Sequence, residues 1–205
     1  MPHGIALAIA LLAAPLFAAQ VVILAPPNLP DPAAHGIAEL TASLTRAGFK
    51  VDSAHPGAAD YYILADPRAP HLSGAEALSI RRTRHQGKPA LQLSASDPRG
   101  LMYAALEVAR TYPDVRAVAE SPYIAERGVS MYTMHRPTFE NRLYDPHYWE
   151  RYFDLLARSR INSFVVIFGY ENGGFLAPVY PYFFDTDGFP EVHFTSLSAE
   201  GQRKN

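Results

Sequence analysis

The chain has 205 residues, 48% of them hydrophobic and 19% charged, so it can bury a core and is not a disordered segment. Its formal net charge of −2 comes from residues scattered along the length, which excludes the basic stripe that a nucleic-acid partner needs. Cysteine is absent, which excludes disulfides, thiolate metal sites and a cysteine nucleophile.

Residues 1–19 hold an apolar run, Ile5 to Ala14, followed by Pro15 and the small pair Ala18-Ala19. The run is too short to span a bilayer and suits the centre of a secretory signal peptide. No Lys or Arg precedes it, and Phe17-Ala18-Ala19 is a poor A-x-A site, so a buried helix or first strand competes. The signal reading puts the mature start near Gln20 and the protein outside the cell or in the periplasm.

From Val21 to Pro26, "VVILAP" reads as a strand closed by a proline turn. Ile37, Leu40, Leu44 and Ala47 then recur at helical spacing, with Gly48 as the stop. "KVDSA" and "DYYILADP" are candidate strands. "ALSIRRTRHQGKPALQLSAS" reads as a hairpin, with strands around Leu78–Thr83 and Ala90–Ala95 and a turn at Gln86-Gly87. Asp97 is a good N-cap with Pro98 at the first helical position, and the helix ends before Pro113. Residues 20–113 thus read β-α-β-β-β-α, a two-layer α/β domain. Asp114–Tyr123 reads as a linker, which closes the small domain at residue 123.

Glu126–Met131 is the next strand. Asp145 and Pro146 open a helix whose expected buried face is Tyr148, Tyr152, Leu155 and Leu156. "NSFVVIFGY" follows as a nearly all-apolar strand, so residues 124–205 begin a βαβ unit of a parallel sheet. The last stretch reads as a long loop with Ser198 as a possible N-cap of another helix. A complete (β/α)₈ barrel takes roughly 250 residues, so this stretch is expected to be the first part of an incomplete one, from a truncated reading frame.

"LQLSASDPRGLMYAALEVARTY" resembles the end of the small α/β domain that precedes the barrel in β-N-acetylhexosaminidases (glycoside hydrolase family 20) and α-glucuronidases (family 67). "AERGVSMY" resembles the first barrel strand of those families, and "YWERYFDLLARSRINSFVV" their first barrel helix and second strand. The resemblance runs from about Val21 to Phe184. The Tyr- and Pro-rich loop from Gly169 to Phe184 fits neither family well. The resemblance implies an exported glycosidase acting on O-glycosyl bonds of carbohydrate. It also implies that Arg127, on the first barrel strand, hydrogen-bonds sugar hydroxyls, since a guanidinium fork suits vicinal hydroxyls or a uronate. A structural ion pair with Glu126 is the bland alternative. The acid of such families lies on later strands, so no catalytic residue is assigned and the chain alone is expected to be inactive. A non-catalytic carbohydrate-binding or protein-interaction module is the rival reading.

Glu171 follows "VVIFGY", where an active face would lie, and Tyr170 beside it could stack on a sugar; both are candidate substrate contacts, with a solvated loop as the alternative. Asp185 and Asp187 resemble a turn, and their D-x-D-G spacing lacks the twelfth-position Glu of a calcium loop. His135, His147 and His193 show no metal-ligand spacing, and His135 with Arg136 reads as loop packing before sugar contact. Neither a P-loop nor a G-x-S-x-G occurs. No metal, no cofactor and no membrane span are therefore expected, the partner is a carbohydrate substrate, and oligomeric state is not legible.

Overall fold

Period-two alternation decides which face of each strand is buried, and the strands here use both faces. The structure, a computed structural model, describes residues 19–52, 59–132, 142 and 145–167, with the side chains of Tyr132, Val166 and Ile167 excepted. The chain divides into two compact units, Met1–Tyr123 and Ile124–Asn205.

In the first unit the elements run β1 (Gln20–Leu24), α1 (Asp31–Arg46), β2 (Lys50–Asp52), β3 (Tyr61–Asp66), β4 (Leu78–His85), β5 (Lys88–Ala95), α2 (Pro98–Thr111) and β6 (Val118–Glu120). They form one six-stranded sheet in the order β2-β1-β3-β5-β4-β6. The first four of these run parallel, and β4 is antiparallel to both β5 and β6. This is a mixed α/β fold. Residues Asp114–Tyr123 are more than the expected linker, because Val118–Glu120 pairs with Leu78–Ile80 and adds the sixth strand. Three residues with one apolar pair carry almost no local strand signal. The pairing is made by β4, whose outer edge would otherwise stand open.

Register places Ile63 beside Leu91, and Ile80 beside Leu93, on one face of the sheet. All four are at most 3% exposed. On that side α1 packs against α2 and β2, and α2 against β4 and β5. Leu40 and Leu44 of α1 and Leu101, Ala105 and Val108 of α2 fill the layer. The helices touch where α1 has Gly36: a Cβ there would lie 2.7 Å from the Met102 Cα, so only a hydrogen fits. The other sheet face holds a smaller cluster of Val22, Ala59, Tyr62 and Ala90, with Leu24 and Leu64 against it.

The turn before α2 is tied by one carboxylate. Asp97 Oδ1 accepts the Gly100 N–H at 2.8 Å, capping the helix, and Oδ2 accepts the Glu76 N–H at 2.6 Å. Glu76 is only 5% exposed and its carboxylate accepts from Arg99 Nη1 at 2.8 Å. Gly100 is required by space, since a Cβ would sit 2.8 Å from the Ala77 carbonyl oxygen. α1 ends as its sequence says. Gly48, just past the Ala47 C-cap, takes φ +90°, which costs glycine little.

The second unit holds β7 (Gly128–Tyr132), α3 (Pro146–Arg158) and β8 (Ser163–Ile167). β7 and β8 are parallel, with Gly128 opposite Ser163 and Tyr132 opposite Ile167. A parallel pair joined by a helix is a βαβ unit, as the run of apolar residues in β8 implies. β7 starts two residues later than Glu126, because Arg127 is engaged elsewhere.

Candidate functional site

In a parallel α/β sheet, ligands meet the residues that follow the carboxyl ends of the strands. In the second unit those ends are Tyr132 and Ile167. Tyr170 and Glu171, the candidate sugar contacts, lie three and four residues beyond Ile167 and outside the described residues. So do His135, Arg136, Asp185, Asp187 and His193.

α3 is placed by the same local chemistry as α2. Asp145 Oδ1 accepts the His147 N–H at 3.0 Å, Pro146 takes the first turn, and Arg158 lies in the last turn, where a cation suits the carbonyl end. Its inner face is aromatic. Trp149, Tyr152 and Phe153 each lie 5.4–5.9 Å, centroid to centroid, from Phe164 of β8. Leu156 completes the stripe and is buried. The expected face therefore needs correcting: Leu155 is 57% exposed, while Trp149 and Phe153, the latter itself 48% exposed, make the ring contacts with Phe164. The spacing 149, 152, 153, 156 is itself the helical i, i+3, i+4, i+7 pattern. A stripe led by Trp and Phe would have found it.

The amino ends of the two strands are sewn together by Arg127 and Asn162. The Arg127 side chain donates from Nε to the Arg160 carbonyl at 2.7 Å and from Nη1 to the Ile124 carbonyl at 2.8 Å. Asn162 accepts the Arg127 N–H on Oδ1 at 2.8 Å and donates from Nδ2 to the Ala125 carbonyl at 2.8 Å. The Arg127 carbonyl in turn accepts from the Asn162 and Ser163 N–H groups. Arg160 reaches this arrangement with φ +58°, a left-handed turn between α3 and β8.

In these bonds the Arg127 side chain serves the main chain at the start of β7. It precedes β7, and five strand residues at about 3.3 Å each separate it from the carboxyl end by roughly 16 Å. Its fork holds main-chain carbonyls, each a charge-assisted bond. Glu126 is not its partner in any of these bonds. Asn162 is the residue that sequence reasoning missed. Its signal is an Asn between an apolar residue and the strand, at a point where two incoming chains both need main-chain partners.

Among the described residues no group of three or more His, Asp or Glu could hold a metal ion, and no helix is long and apolar enough to cross a membrane. His147 Nδ1 lies 3.1 Å from Glu150 Oε2, but both side chains are at least 70% exposed, so the pair contributes little.

No protein-family model matches the chain, and no curated protein matches it. Solved structures do. A GH138 enzyme targeting pectin rhamnogalacturonan II matches over 91% of this chain with a TM-score of 0.69 at 16% identity. A GH115 4-O-methyl-α-glucuronidase with specificity for decorated arabinogalactans matches over 91% with a TM-score of 0.55, also at 16% identity. The chain spans 28% of the length of each of these structures. The chain shares the α/β fold of the matching part of these two enzymes.

Proposed function

We propose that this chain belongs to an exported glycoside hydrolase of carbohydrate catabolism that cleaves O-glycosyl bonds in a polysaccharide or complex glycan. In this reading β7, α3 and β8 are the opening βαβ unit of a (β/α)₈ barrel, and residues 20–123 are the small domain before it. The observation that supports it most is the likeness over 91% of the chain, through both units, to an enzyme targeting a pectin. Fold alone does not carry chemistry, so the reading rests also on where the sequence puts Tyr170 and Glu171, just beyond the end of β8.

Each residue then has a distinct part. Tyr170 offers a ring face to a sugar and Glu171 a carboxylate to its hydroxyls or its glycosidic oxygen. Arg127 and Asn162 act from beneath, fixing the register of the first two barrel strands and so the height at which the loop after β8 is presented. Hydrolysis by two carboxylates needs them about 5–10 Å apart on either side of the scissile bond. The described residues supply no such pair at the carboxyl ends of β7 and β8. In the families that the sequence resembles the acid lies on later strands, so in this reading the chain on its own does not hydrolyse glycan. The closer family, whether 20, 67 or one nearer the two solved neighbours, belongs to the same proposal.

The test is sugar release from a pectin fraction rich in rhamnogalacturonan II and from a glucuronidated arabinogalactan. It is run with the 205-residue chain and with the product of the gene read through and past the Asn205 codon. Release by the longer product and none by the chain supports the reading. Release by neither, with saturable binding of the chain to one of the glycans, overturns it in favour of a non-catalytic binding module.

A further inference from the structure

The first unit contains a cavity that the proposed hydrolase site does not use. It has a volume of about 550 Å³, within the range of small-molecule sites. Its apolar wall comes from Val21, Ile63 and Leu91 of the sheet and from Leu44 and Val108 of the two helices. A polar rim closes one side of it, and the sequence of β4 explains why. Along the face that packs on the helices, β4 carries Leu78, Ile80, Arg82 and Arg84 in alternation. The first two are buried and the last two are exposed. One face thus turns from apolar to basic within four residue pairs.

The rim has a definite charge. Arg82 and Arg84 both line the cavity, against a single carboxylate, Asp60. Asp60 already accepts the Gln20 N–H at 2.9 Å. Arg82 gives one Nη to the Val115 carbonyl at 3.1 Å, and Arg84 gives one to the Gly87 carbonyl, so each fork has further N–H groups to offer. The carbonyl ends of α1 and α2 lie on this side and oppose an anion; Arg46 in the last turn offsets that of α1, while Arg110 of α2 is paired with Glu107 at 2.7 Å. Two tyrosines, Tyr61 and Tyr112, also line the cavity, and neither phenol oxygen has a hydrogen-bond partner among the described residues. Burial pushes both phenols above their ordinary value of 10.0, so both are O–H donors at neutral pH.

We infer that this cavity binds a small amphipathic monoanion, an aromatic or branched apolar body carrying one carboxylate. The body lies on Val21, Ile63 and Leu91, and the carboxylate meets Arg82, Arg84 and the tyrosine hydroxyls. The wall is apolar, each guanidinium has one main-chain anchor, and the net charge of the rim is one positive. A neutral ligand of the same shape leaves the guanidinium groups without an anion, and a dianion meets Asp60.

The test is titration calorimetry of the full chain with 2-naphthoate and with 2-naphthalenemethanol, which share a ring system and differ in charge. One site per chain is expected, with the alcohol at least about tenfold weaker, the loss of one good charge-assisted contact. Arg84→Gln, at an exposed position, should cut that preference several-fold while leaving the affinity for the alcohol unchanged. Arg82→Gln should do the same, and Arg84→Gln decides the matter alone if loss of the Val115 contact prevents folding. No saturable binding, equal affinity for the two probes, or a tenfold preference that survives Arg84→Gln would each overturn the assignment. None of these outcomes bears on glycan hydrolysis.

Discussion

α2 and α3 begin alike and end up in different surroundings. Each opens with Asp at the N-cap and Pro in the first turn, each has its cap carboxylate on a main-chain N–H, and each closes with an arginine in its last turn. Yet α2 buries eight residues, from Gly100 to Val108, and among the described residues α3 buries only Leu156. Helix formation is thus written locally, in caps and periodicity. Burial is set by the layers around the helix. α2 has a helix on one side and two strands beneath it, while α3 has the aromatic contact with β8. Phe153, Leu155 and Val165 stay about half exposed, at 48%, 57% and 50%. An apolar surface of that kind is what a barrel covers with its next strands and helices.

The sharpest way to press on this difference uses Trp149, the single tryptophan, as a fluorescence reporter of the second unit, with far-UV circular dichroism reporting both. The largest effect is expected in the first unit. Leu101→Ala, at a fully buried position, should cost about 2–5 kcal/mol in urea unfolding followed by circular dichroism. Leu156→Ala, followed by Trp149 emission, should fall at the low end of that range.

Next in size is Arg127. Removing its fork leaves main-chain carbonyls of the second unit without their charged donor, and Arg127→Ala should cost about 1.5–3 kcal/mol. The loss should show in the Trp149 transition and leave the first unit's transition in place.

Gly36→Ala sets two effects against each other. Alanine in a helix interior normally gains about 1 kcal/mol over glycine. Here the added methyl would lie 2.7 Å from backbone of α2, which a side-chain rotation cannot relieve. Overpacking at about 1–3 kcal/mol should win, giving a net loss in thermal unfolding of the first unit.

The two caps come next and make the comparison directly. Asp97→Ala removes bonds to both Gly100 and Glu76 and should cost about 2 kcal/mol, the upper end for a cap. Asp145→Ala removes one bond, to an exposed first turn, and should cost about 0.5–1 kcal/mol. Equal losses would show that the surroundings of the two helices do not matter.

The smallest effect is alkaline. Burial raises the folded-state values of Tyr61 and Tyr112 above 10.0, so between the unfolded and folded values the folded chain holds more protons. The first unit's stability is then fully present below pH 10 and falls as pH rises through the folded values. Denaturant midpoints between pH 9 and pH 11.5 should decline less for Tyr61→Phe than for the parent chain.

Much of this was legible in the sequence. The hairpin turn was plain from Gln86-Gly87, where both residues take positive φ, at +49° and +76°. The Asp-Pro starts of α2 and α3 were equally plain. β6 was not, because its pairing with β4 is non-local and its three residues have no periodicity of their own. The Arg127–Asn162 seam was half legible. An arginine before a strand invites a ligand, but one of its partners is the Arg160 carbonyl, far along the chain, and main-chain acceptors leave no mark on composition. The residues assigned to sugar, Tyr170 and Glu171, rest on their place after β8 and on nothing closer.

Hydrogen exchange followed by mass spectrometry on the whole chain tests the contrast between the two units most directly. Exchange rates there follow the free energy of local opening. Amides of β3, β5 and α2 are expected to exchange slowly and together, while those of α3 and β8 exchange orders of magnitude faster. Equal protection of α3 and α2 would contradict that contrast, and would mean that the second unit is closed as it stands, with no barrel needed to complete it.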